Sequence, residues 1–338
     1  MKPGVLIALL VVSLPALAAP RIVAVSGYRA QDRQHLAAAV KAARLPSGTA
    51  VFFGTYGINK DDLAAARSIP GGRYAPIVTP QPKQHPMRRL SPADEAKIPA
   101  ALKKYAGAIP ELAGLPTAER VAWGVEMGKR VRDQIRQAQR VGIAVEAFQL
   151  DEIWPSASKS GAQGAAVLQF MTGAIEGLHT GRAVLGDRPM RGLVHVAHPG
   201  RLAALRGPDA ARFFRALNKV ATHFIAEEYP PFSGDPRATA RRLLASRDAL
   251  RTGNADRKAL AARFVAGLTP GFKEGPSLGG RVRGQSDAAA HRWRGEFIAE
   301  HVARGVAGIS EFNWNGGDNV KPAVMRVVFQ QIAHAYRK

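Results

Sequence analysis

Strand-like and helix-like segments alternate eight times along this 338-residue chain, and this alternation limits the possible folds more than any other feature. The strand-like segments are short, apolar and rich in β-branched residues, which is typical of parallel strands buried on both faces. A helical pattern follows each of them, and the last helix begins near Pro322, where proline suits a first helical turn. The predicted strands cover residues 21–28, 50–57, 74–79, 144–151, 191–198, 222–228, 263–269 and 306–312.

Eight β-then-α units predict a fold of the α/β class, a single closed (β/α)8 barrel with a long insertion after the third strand. The insertion runs from Pro80 to about Pro116 and contains several prolines. The main rival is an open doubly wound sheet, which normally has a glycine-rich phosphate turn after its first strand. Here Gly27 is followed by Tyr-Arg-Ala, which lacks that glycine spacing. We therefore expect the barrel, with the third strand as its least regular element.

The first eighteen residues have the pattern of a secretory signal peptide. Lys2 supplies a positive start, residues 5–14 form an apolar run, and Ala16-Leu17-Ala18 is a small-residue cleavage site. The run is shorter than the roughly 20 residues of a membrane-spanning helix, although an uncleaved anchor is the alternative. We expect a signal peptide over 1–18, a barrel domain over 19–338, no transmembrane segment and a secreted or periplasmic location.

Composition narrows the chemistry and the partners. The chain has no cysteine, which excludes disulfides, a thiol nucleophile and an acylated lipoprotein cysteine. Its formal net charge is +22, but the basic residues are spread along helical segments such as 237–251. No helix-turn-helix, zinc-finger or RNA-binding signature accompanies them. We therefore expect an anionic polysaccharide or envelope polymer in the surroundings, and no specific nucleic acid.

Three predicted strands end in carboxylates beside an aromatic residue. The fourth ends in Phe148-Gln-Leu-Asp151-Glu152-Ile-Trp154, the sixth in Glu227-Glu228-Tyr229 and the eighth in Glu311-Phe-Asn313-Trp314. Buried strands have little reason to end in acids unless something at that end uses them. In a (β/α)8 barrel the site lies at the C-terminal ends of the strands. The acids are therefore expected at one common mouth.

Two carboxylates facing each other across a mouth can cleave a glycosidic bond. One acts as the acid, and the other acts as the nucleophile or as the base for water. Strand alternation turns Gln149 and Asp151 inward if Phe148 and Leu150 face the helices, so Asp151 is the expected member of the pair on the fourth strand.

The sixth strand leaves two candidates open. Glu227 and Glu228 can each belong to a plausible inward set, and Glu227 ranks ahead because it shares the parity of the polar His223. The predicted catalytic residues are accordingly Asp151, Glu227 and Glu228.

Polar and aromatic side chains around the strand ends suit a polyhydroxylated ligand, because rings stack on sugars while carboxylates and amides bind hydroxyls. Glu311 has a second expected role, which is to act on a neighbouring acid through like-charge proximity. The predicted substrate-binding residues are Tyr28, Tyr56, Gln149, Glu152, Trp154, His195, Tyr229, Glu311, Asn313 and Trp314.

With these residues the chain resembles the secreted (β/α)8 glycoside hydrolases, and its layout is similar to that of α-galactosidase-like and polygalactosaminidase-like barrels. The resemblance implies that the Asp of Phe148-Gln-Leu-Asp151 is the nucleophile and that Glu227 or Glu228 is the proton donor. In the order of its elements the resemblance extends over the whole barrel, but in sequence it extends only over these short motifs. The chain lacks the Asp-x-x-Asp-x-Asp-x-Glu run of chitinase-like barrels, and Asn-Glu does not end its fourth strand as in many retaining β-glycosidases.

Two other functions stay open alongside an exported enzyme that hydrolyses a polysaccharide or glycoconjugate. A non-catalytic barrel would bind a glycan or envelope polymer without releasing reducing ends. A metal-dependent hydrolase is the third hypothesis, but His195 and His198 on one strand point to opposite faces, which is poor geometry for one ion. We therefore predict no metal and no other cofactor.

Overall fold

The computed structural model describes residues 21–26, 32–78, 114–151, 161–179, 192–197, 199–268, 281–312 and 322–338. The predicted signal peptide and nearly all of the predicted insertion after the third strand lie outside these ranges. Within them no helix is long and apolar enough to cross a membrane.

In the described part of the chain nine parallel strands form one sheet, whose order is β3-β2-β1-β9-β8-β7-β6-β5-β4. The strands are β1 (Ile22–Ser26), β2 (Ala50–Phe53), β3 (Gly72–Tyr74), β4 (Ile77–Val78), β5 (Gln149–Leu150), β6 (Gly192–Ala197), β7 (Ala221–Glu227), β8 (Phe264–Leu268) and β9 (Gly308–Phe312).

The sheet closes through its third strand, which is split in two. The outermost members of the sheet order, β3 and β4, are consecutive in the chain and are separated only by Ala75 and Pro76. Hydrogen bonds continue across the interruption, since the amide of Ile77 donates to the Thr55 carbonyl (3.0 Å) and the amide of Gln149 donates to the Pro76 carbonyl (2.9 Å). Proline has no N–H for the strand ladder, which explains the break. The predicted (β/α)8 barrel is confirmed.

The helices follow the strands, and the described ones are α1 (Arg33–Ala43), α2 (Lys60–Arg67), α3 (Thr117–Arg140), α4 (Gly161–His179), α5 (Pro199–Ala204), α6 (Pro208–Val220), α7 (Pro236–Arg251), α8 (Ala255–Ala262), α9 (Asp287–Ala303) and α10 (Pro322–Arg337). Seven of them have boundaries within two residues of the helical patterns of the sequence, which cover residues 32–45, 61–68, 118–141, 163–179, 209–220, 237–251 and 287–304. The short helices α5 and α8 are additions that apolar periodicity did not indicate.

Alternate residues of each strand enter two separate cores. A large core fills the layer between the strands and the helices, whereas a small one fills the inside of the barrel. Because side chains alternate along a strand, membership of one core fixes the direction of its neighbours. The small core consists of Ile22, Ala24, Phe52, Ala75, Ala147, Leu193, Ile225 and Val265.

Tyr336 of the last helix ties the first strand to the last one. Its buried hydroxyl donates to the Ile22 carbonyl (2.5 Å) and accepts from the Ile309 amide (2.9 Å). Burial raises the pKa of this phenol, so it keeps its proton. The C-terminal helix is thereby fixed to the β1–β9 seam of the barrel.

Helices α3 and α4 pack with their backbones in direct contact. Gly124 and Gly128 of α3 face α4, while Gly173 and Gly177 of α4 face α3. A Cβ atom at any of the four would lie only 1.9 to 2.2 Å from a backbone oxygen of the other helix. Only glycine permits this approach, so the four glycines allow the close packing of α3 on α4.

Candidate active site

Six side chains meet at the C-terminal ends of the second, fourth, fifth and sixth barrel strands, and we call them the carboxylate cluster. The fourth, fifth and sixth barrel strands are β5, β6 and β7. All six members had been predicted from the sequence as catalytic or substrate-binding residues. The members of the cluster are Tyr56, Gln149, Asp151, His195, Glu227 and Tyr229.

The fourth strand points its polar residues inward, as its alternation predicts. Phe148 and Leu150 belong to the core between sheet and helices, whereas Ala147 belongs to the core inside the barrel. Gln149 and Asp151 therefore project into the barrel, where both are buried. Asp151 remains 3% exposed, so its carboxylate lies at the inner edge of the mouth.

On the sixth strand the structure selects Glu227. Ile225 lies in the inner core and Ala226 in the outer one, so Glu227 projects into the barrel, where its carboxylate contacts His195. Glu228 lies on the opposite side, near the charge of Arg242 and the backbone N–H of Gly200. Glu228 is thus the one predicted catalytic residue that the fold keeps out of the cluster, because adjacent residues of a strand face opposite sides.

A chain of buried hydrogen bonds links the first strand to Glu227. Ser26 Oγ donates to Gln149 Oε1 (2.9 Å), and Gln149 Nε2 donates to the Ala75 carbonyl (3.0 Å). His195 bridges Gln149 and Glu227, with Nε2 at 2.9 Å from Gln149 Oε1 and Nδ1 at 3.1 Å from Glu227 Oε1. Burial lowers the pKa of His195 to about 4, against the opposing effect of the charge of Asp151. The ring is therefore neutral near pH 7.

Asp151 has a different partner. The hydroxyl of Tyr56 donates to Asp151 Oδ2 at 2.6 Å, a short hydrogen bond of the kind that an ionised carboxylate accepts. Tyr56 follows β2 and pairs with Ile77 in an isolated parallel bridge. The two acids of the cluster therefore have different environments, because Glu227 lies in hydrogen-bond contact with an imidazole.

Tyr229 completes the cluster next to Glu227. Burial is the main cause that raises the pKa of its phenol well above the usual value, and the charges of Glu227 and Asp151 and a hydrogen bond with Glu227 add to the effect. Tyr229 therefore stays protonated over any ordinary pH range. It offers a second hydroxyl beside the two acids.

A buried carboxylate supports the loop that carries Tyr56. Asp62 is fully buried and accepts hydrogen bonds from the Thr55 amide (3.2 Å), the Thr55 hydroxyl, Asn59 Nδ2 (2.8 Å) and Arg33 Nε (2.8 Å). Asn59 in turn caps α2 by accepting from the Asp62 amide (2.7 Å). The residue that precedes Tyr56 is thus held at both its amide and its hydroxyl.

We expect Asp62→Ala to destabilise the protein by about 3 kcal/mol, because it leaves several buried donors and the guanidinium of Arg33 without their acceptor. Chemical denaturation measures this loss. Asp61→Ala is the matched control, since Asp61 also pairs with Arg33 (3.0 Å) but its side chain is 76% exposed. An exposed pair contributes less than about 1 kcal/mol. Equal losses in the two variants would contradict the role given to Asp62.

The loop after the sixth strand is anchored by aromatic packing. Phe232 stacks on Trp293 of α9, with ring centroids 4.9 Å apart, and Trp293 Nε1 donates to the carbonyls of Ser233 (3.2 Å) and Gly234 (3.1 Å). Gln285 Nε2 also donates to the Phe232 carbonyl (2.8 Å). The loop that begins at Tyr229 is therefore held against α9.

Asp151, His195 and Glu227 are also the only group of three or more potential metal-binding side chains within the described residues, with one donor atom of each lying within 4.8 Å of the others. An ion among them would have to take the place of the contact between His195 and Glu227. Both ring nitrogens of His195 already have partners inside the protein. The absence of a metal stays a prediction, and metal analysis is part of the tests below.

The remaining predicted binding residues divide into two groups. Glu311 pairs in register with Val25 and Leu268, which belong to the core between sheet and helices, so the register places Glu311 on the helix-facing side of β9 and apart from the cluster. This corrects its predicted position at the mouth. The predicted binding residues outside the described ranges are Tyr28, Glu152, Trp154, Asn313 and Trp314.

Glu311 gives a test in the pH dependence of stability. The residue is fully buried, neither carboxyl oxygen has a hydrogen-bond partner within the described part of the chain, and burial raises its pKa well above the ordinary value of a glutamate. Above about pH 4.3 the unfolded chain loses this proton while the folded chain keeps it, so stability falls as the pH rises until the folded-state pKa is passed.

We therefore expect Glu311→Gln to raise the denaturation midpoint relative to the parent protein at pH 8 and to leave it unchanged at pH 4. Glu228 also has a raised pKa, to about 7, and contributes the same decline to both proteins. The difference between the two curves thus isolates Glu311. A constant difference over the whole pH range would contradict the assignment.

One member of the hydrogen-bond chain was missed from the sequence. Ser26 ends β1 with the parity of Ile22 and Ala24, both of which lie in the inner core. That alternation alone indicates that Ser26 points into the barrel. Its contact with Gln149 depends on how far the strands are staggered around the barrel, which the sequence does not show.

Comparison with known proteins gives resemblance at the level of architecture. No protein-family model matches the chain, and no curated protein does. Similar solved structures include a GH18 chitinase from Pseudoalteromonas aurantia (9% identity, TM-score 0.48, covering 87% of this chain and 93% of that one). Others are an endo-β-N-acetylglucosaminidase from Cordyceps militaris (11%, 0.47, 94% and 91%) and a glycoside hydrolase family 5 enzyme from Prevotella bryantii (13%, 0.45, 90% and 86%).

Proposed function

We propose that the protein is a glycoside hydrolase that retains anomeric configuration, with Asp151 as the nucleophile and Glu227 as the acid and base. The observation that supports this best is the spacing of the two carboxylates, which have oxygens within 4.8 Å of each other at the barrel mouth. Retaining glycosidases place their two carboxyl groups about 5–5.5 Å apart, whereas inverting enzymes leave about 6.5–9.5 Å for a water molecule.

The two acids divide the reaction between them. In the first step the proton of Glu227 passes to the glycosidic oxygen while Asp151 attacks the anomeric carbon, so the leaving alcohol departs and a glycosyl–aspartate ester forms. In the second step Glu227 takes a proton from water, whose oxygen attacks the anomeric carbon and releases Asp151. Each group ends the cycle in the state in which it began.

The surroundings of the two acids support this division. The phenol of Tyr56 donates to Asp151, which stabilises the charged carboxylate that must attack and later leave. Glu227 lies against a neutral imidazole, which cannot supply the positive charge that would hold Glu227 ionised. Acid and nucleophile roles require environments that give two neighbouring carboxyls different pKa values.

We also propose that the protein is exported and acts on an anionic polysaccharide or glycoconjugate. The signal-peptide pattern of residues 1–18 supports export, and the net charge of +22 supports a negatively charged polymer as substrate or surroundings. Neither feature selects a particular sugar.

A glycan screen tests the proposal. The purified protein is incubated with a panel of neutral and acidic polysaccharides, and released reducing ends are measured beside a Glu227→Gln sample prepared in the same way. We expect release from at least one acidic substrate, and none above background with the variant. Saturable binding of a glycan with no release would support the non-catalytic barrel instead and would contradict the proposal.

A further inference from the structure

We propose that Gln149 and Ser26 form a positioning device that holds His195 as the Nε2–H tautomer, so that its Nδ1 lone pair keeps a proton on Glu227. The contribution of this device to catalysis rests on the function proposed above. The location of the proton does not, because it follows from the hydrogen bonds and from the burial of His195.

The Ala75 carbonyl fixes the donor and the acceptor of each hydrogen bond between Gln149 and His195. A carbonyl oxygen can only accept, so the Gln149 amide nitrogen must face Ala75 and its oxygen must face His195. That oxygen accepts from the Ser26 hydroxyl and can only accept from His195 as well. The His195 Nε2 atom therefore carries a hydrogen.

The remaining proton is the one between His195 Nδ1 and Glu227 Oε1, which are 3.1 Å apart. It can reside on the ring as part of an imidazolium–carboxylate pair, or on the carboxyl as part of a neutral pair. His195 is fully buried, and burial without full compensation disfavours the imidazolium. The neutral pair results, with Glu227 donating to Nδ1.

The other charged and titratable groups around this pair act in two directions. Asp151 on the fourth strand is a second carboxylate within 4.8 Å, and two ionised carboxylates so close together repel each other, which favours the proton on Glu227. Tyr56 after the second strand is a phenol that bonds to Asp151 and favours its charged form. Tyr229 after the sixth strand is a phenol that bonds to Glu227 and opposes the proton there, whereas the Nδ1 lone pair and the repulsion from Asp151 favour it.

The device therefore gives Glu227 and Asp151 different protonation states before substrate binds. Glu227 keeps the proton that the leaving group needs, while Asp151 keeps its charge. Gln149 acts through His195 and is a positioning residue, since its own amide contacts Ser26, Ala75 and His195.

The tautomer can be measured without any substrate. Long-range 15N–1H spectra of the labelled protein, with the His195 signals assigned by comparison with His195→Gln, should show a neutral Nε2–H ring from pH 5 to pH 8. The side-chain carboxyl carbon of Glu227 should have the chemical shift of a protonated acid at the pH where most glutamates are ionised. An Nδ1–H tautomer or an imidazolium at pH 7 would overturn the proposal.

Two nearly isosteric changes at Gln149 should move the proton in opposite directions. Gln149→Met removes the acceptor for Nε2–H, so the neutral ring can carry its hydrogen on Nδ1 and donate it to Glu227. Glu227 should then lose its proton at lower pH. Gln149→Glu supplies a charged acceptor, so the pair should hold its shared proton to higher pH. In both variants we expect kcat at pH 7 to fall about tenfold with little change in KM.

His223→Gln is the matched control. His223 lies on the same strand as Glu227 but near its start, where its ring contacts that of Phe52 in a tilted arrangement with ring centroids 6.0 Å apart. This variant should leave the Glu227 titration and kcat unchanged. A purely structural role for Gln149 predicts unchanged titration in the two Gln149 variants as well, and that result would overturn the proposal.

The outcomes also separate this inference from the proposed function. If no glycan is hydrolysed but the spectra show the Nε2–H ring beside a protonated Glu227, the positioning device stands and the glycosidase assignment fails. Metal analysis of the purified protein covers the remaining possibility. A stoichiometric ion whose removal by a chelator changes the His195 spectrum would overturn the proton assignment.

Discussion

Replacing Asp151 by Asn is expected to lower kcat at least about a thousandfold, because the variant lacks the nucleophile that divides the reaction into two steps. Glu227→Gln should cost about 100- to 10,000-fold on substrates with an alkoxide leaving group, which must be protonated as they depart. On aryl glycosides with strongly acidic leaving groups the first step needs no proton, so the loss of kcat/KM in Glu227→Gln should be much smaller, whereas kcat should stay low because the second step still lacks its base. Steady-state kinetics on both substrate types measure the contrast.

Glu228→Gln is the control for both changes. Glu228 is the next residue along β7, but it faces Arg242 and the Gly200 amide and not the cluster. We expect it to keep kcat within about threefold of the parent protein, since its carboxyl lies on the side of the barrel wall that faces away from the two acids. Full activity in Asp151→Asn, or a larger loss in Glu228→Gln than in Glu227→Gln, would contradict the assignment of the pair.

The largest expected effect on stability is at the contact between α3 and α4. Gly128→Ala would place a Cβ atom 1.9 Å from the Ala174 carbonyl oxygen, and the helices can accept it only by moving apart. Overpacking in a tight interface typically costs about 1–3 kcal/mol, and a clash with backbone leaves no side chain to yield, so we expect about 3 kcal/mol. Urea denaturation of the variant and the parent protein gives this number.

Gly200→Ala provides the comparison within a helix. A Cβ atom at Gly200 of α5 would have no heavy atom of the described residues within 4 Å. Alanine is favoured over glycine inside a helix by about 1 kcal/mol, so this variant should be as stable as the parent or slightly more stable. A similar loss at both positions would show that the α3–α4 contact is not specially tight.

The barrel could be predicted from the sequence because each strand and each helix has its own local pattern. Alternation also gave the inward direction of Gln149 and Asp151, since it needs only the identity of neighbours such as Phe148. The third strand was the least regular prediction, and the structure shows why, because Pro76 interrupts it and divides it into β3 and β4.

Contacts between strands could not be predicted in the same way. The link from Ser26 through Gln149 and His195 to Glu227 depends on the stagger of four strands around the barrel. The choice between Glu227 and Glu228 depended on one residue of register, which polarity alone could not fix.

Two further features lay beyond the local patterns. The outward position of Glu311 follows from its pairing with Val25, which no property of the β9 sequence reveals. The glycines of α3 and α4 resemble ordinary helix-weakening residues until the two helices are seen together.

The roles proposed for Asp151 and Glu227, nucleophile and acid–base of a retaining glycosidase, fix the anomeric configuration of the first-formed product. This configuration can be followed by 1H NMR in the first minutes after enzyme is added to a substrate found by the screen. We expect a product with the same configuration as the substrate, before mutarotation equilibrates it. A product that first appears with the opposite configuration would contradict these roles.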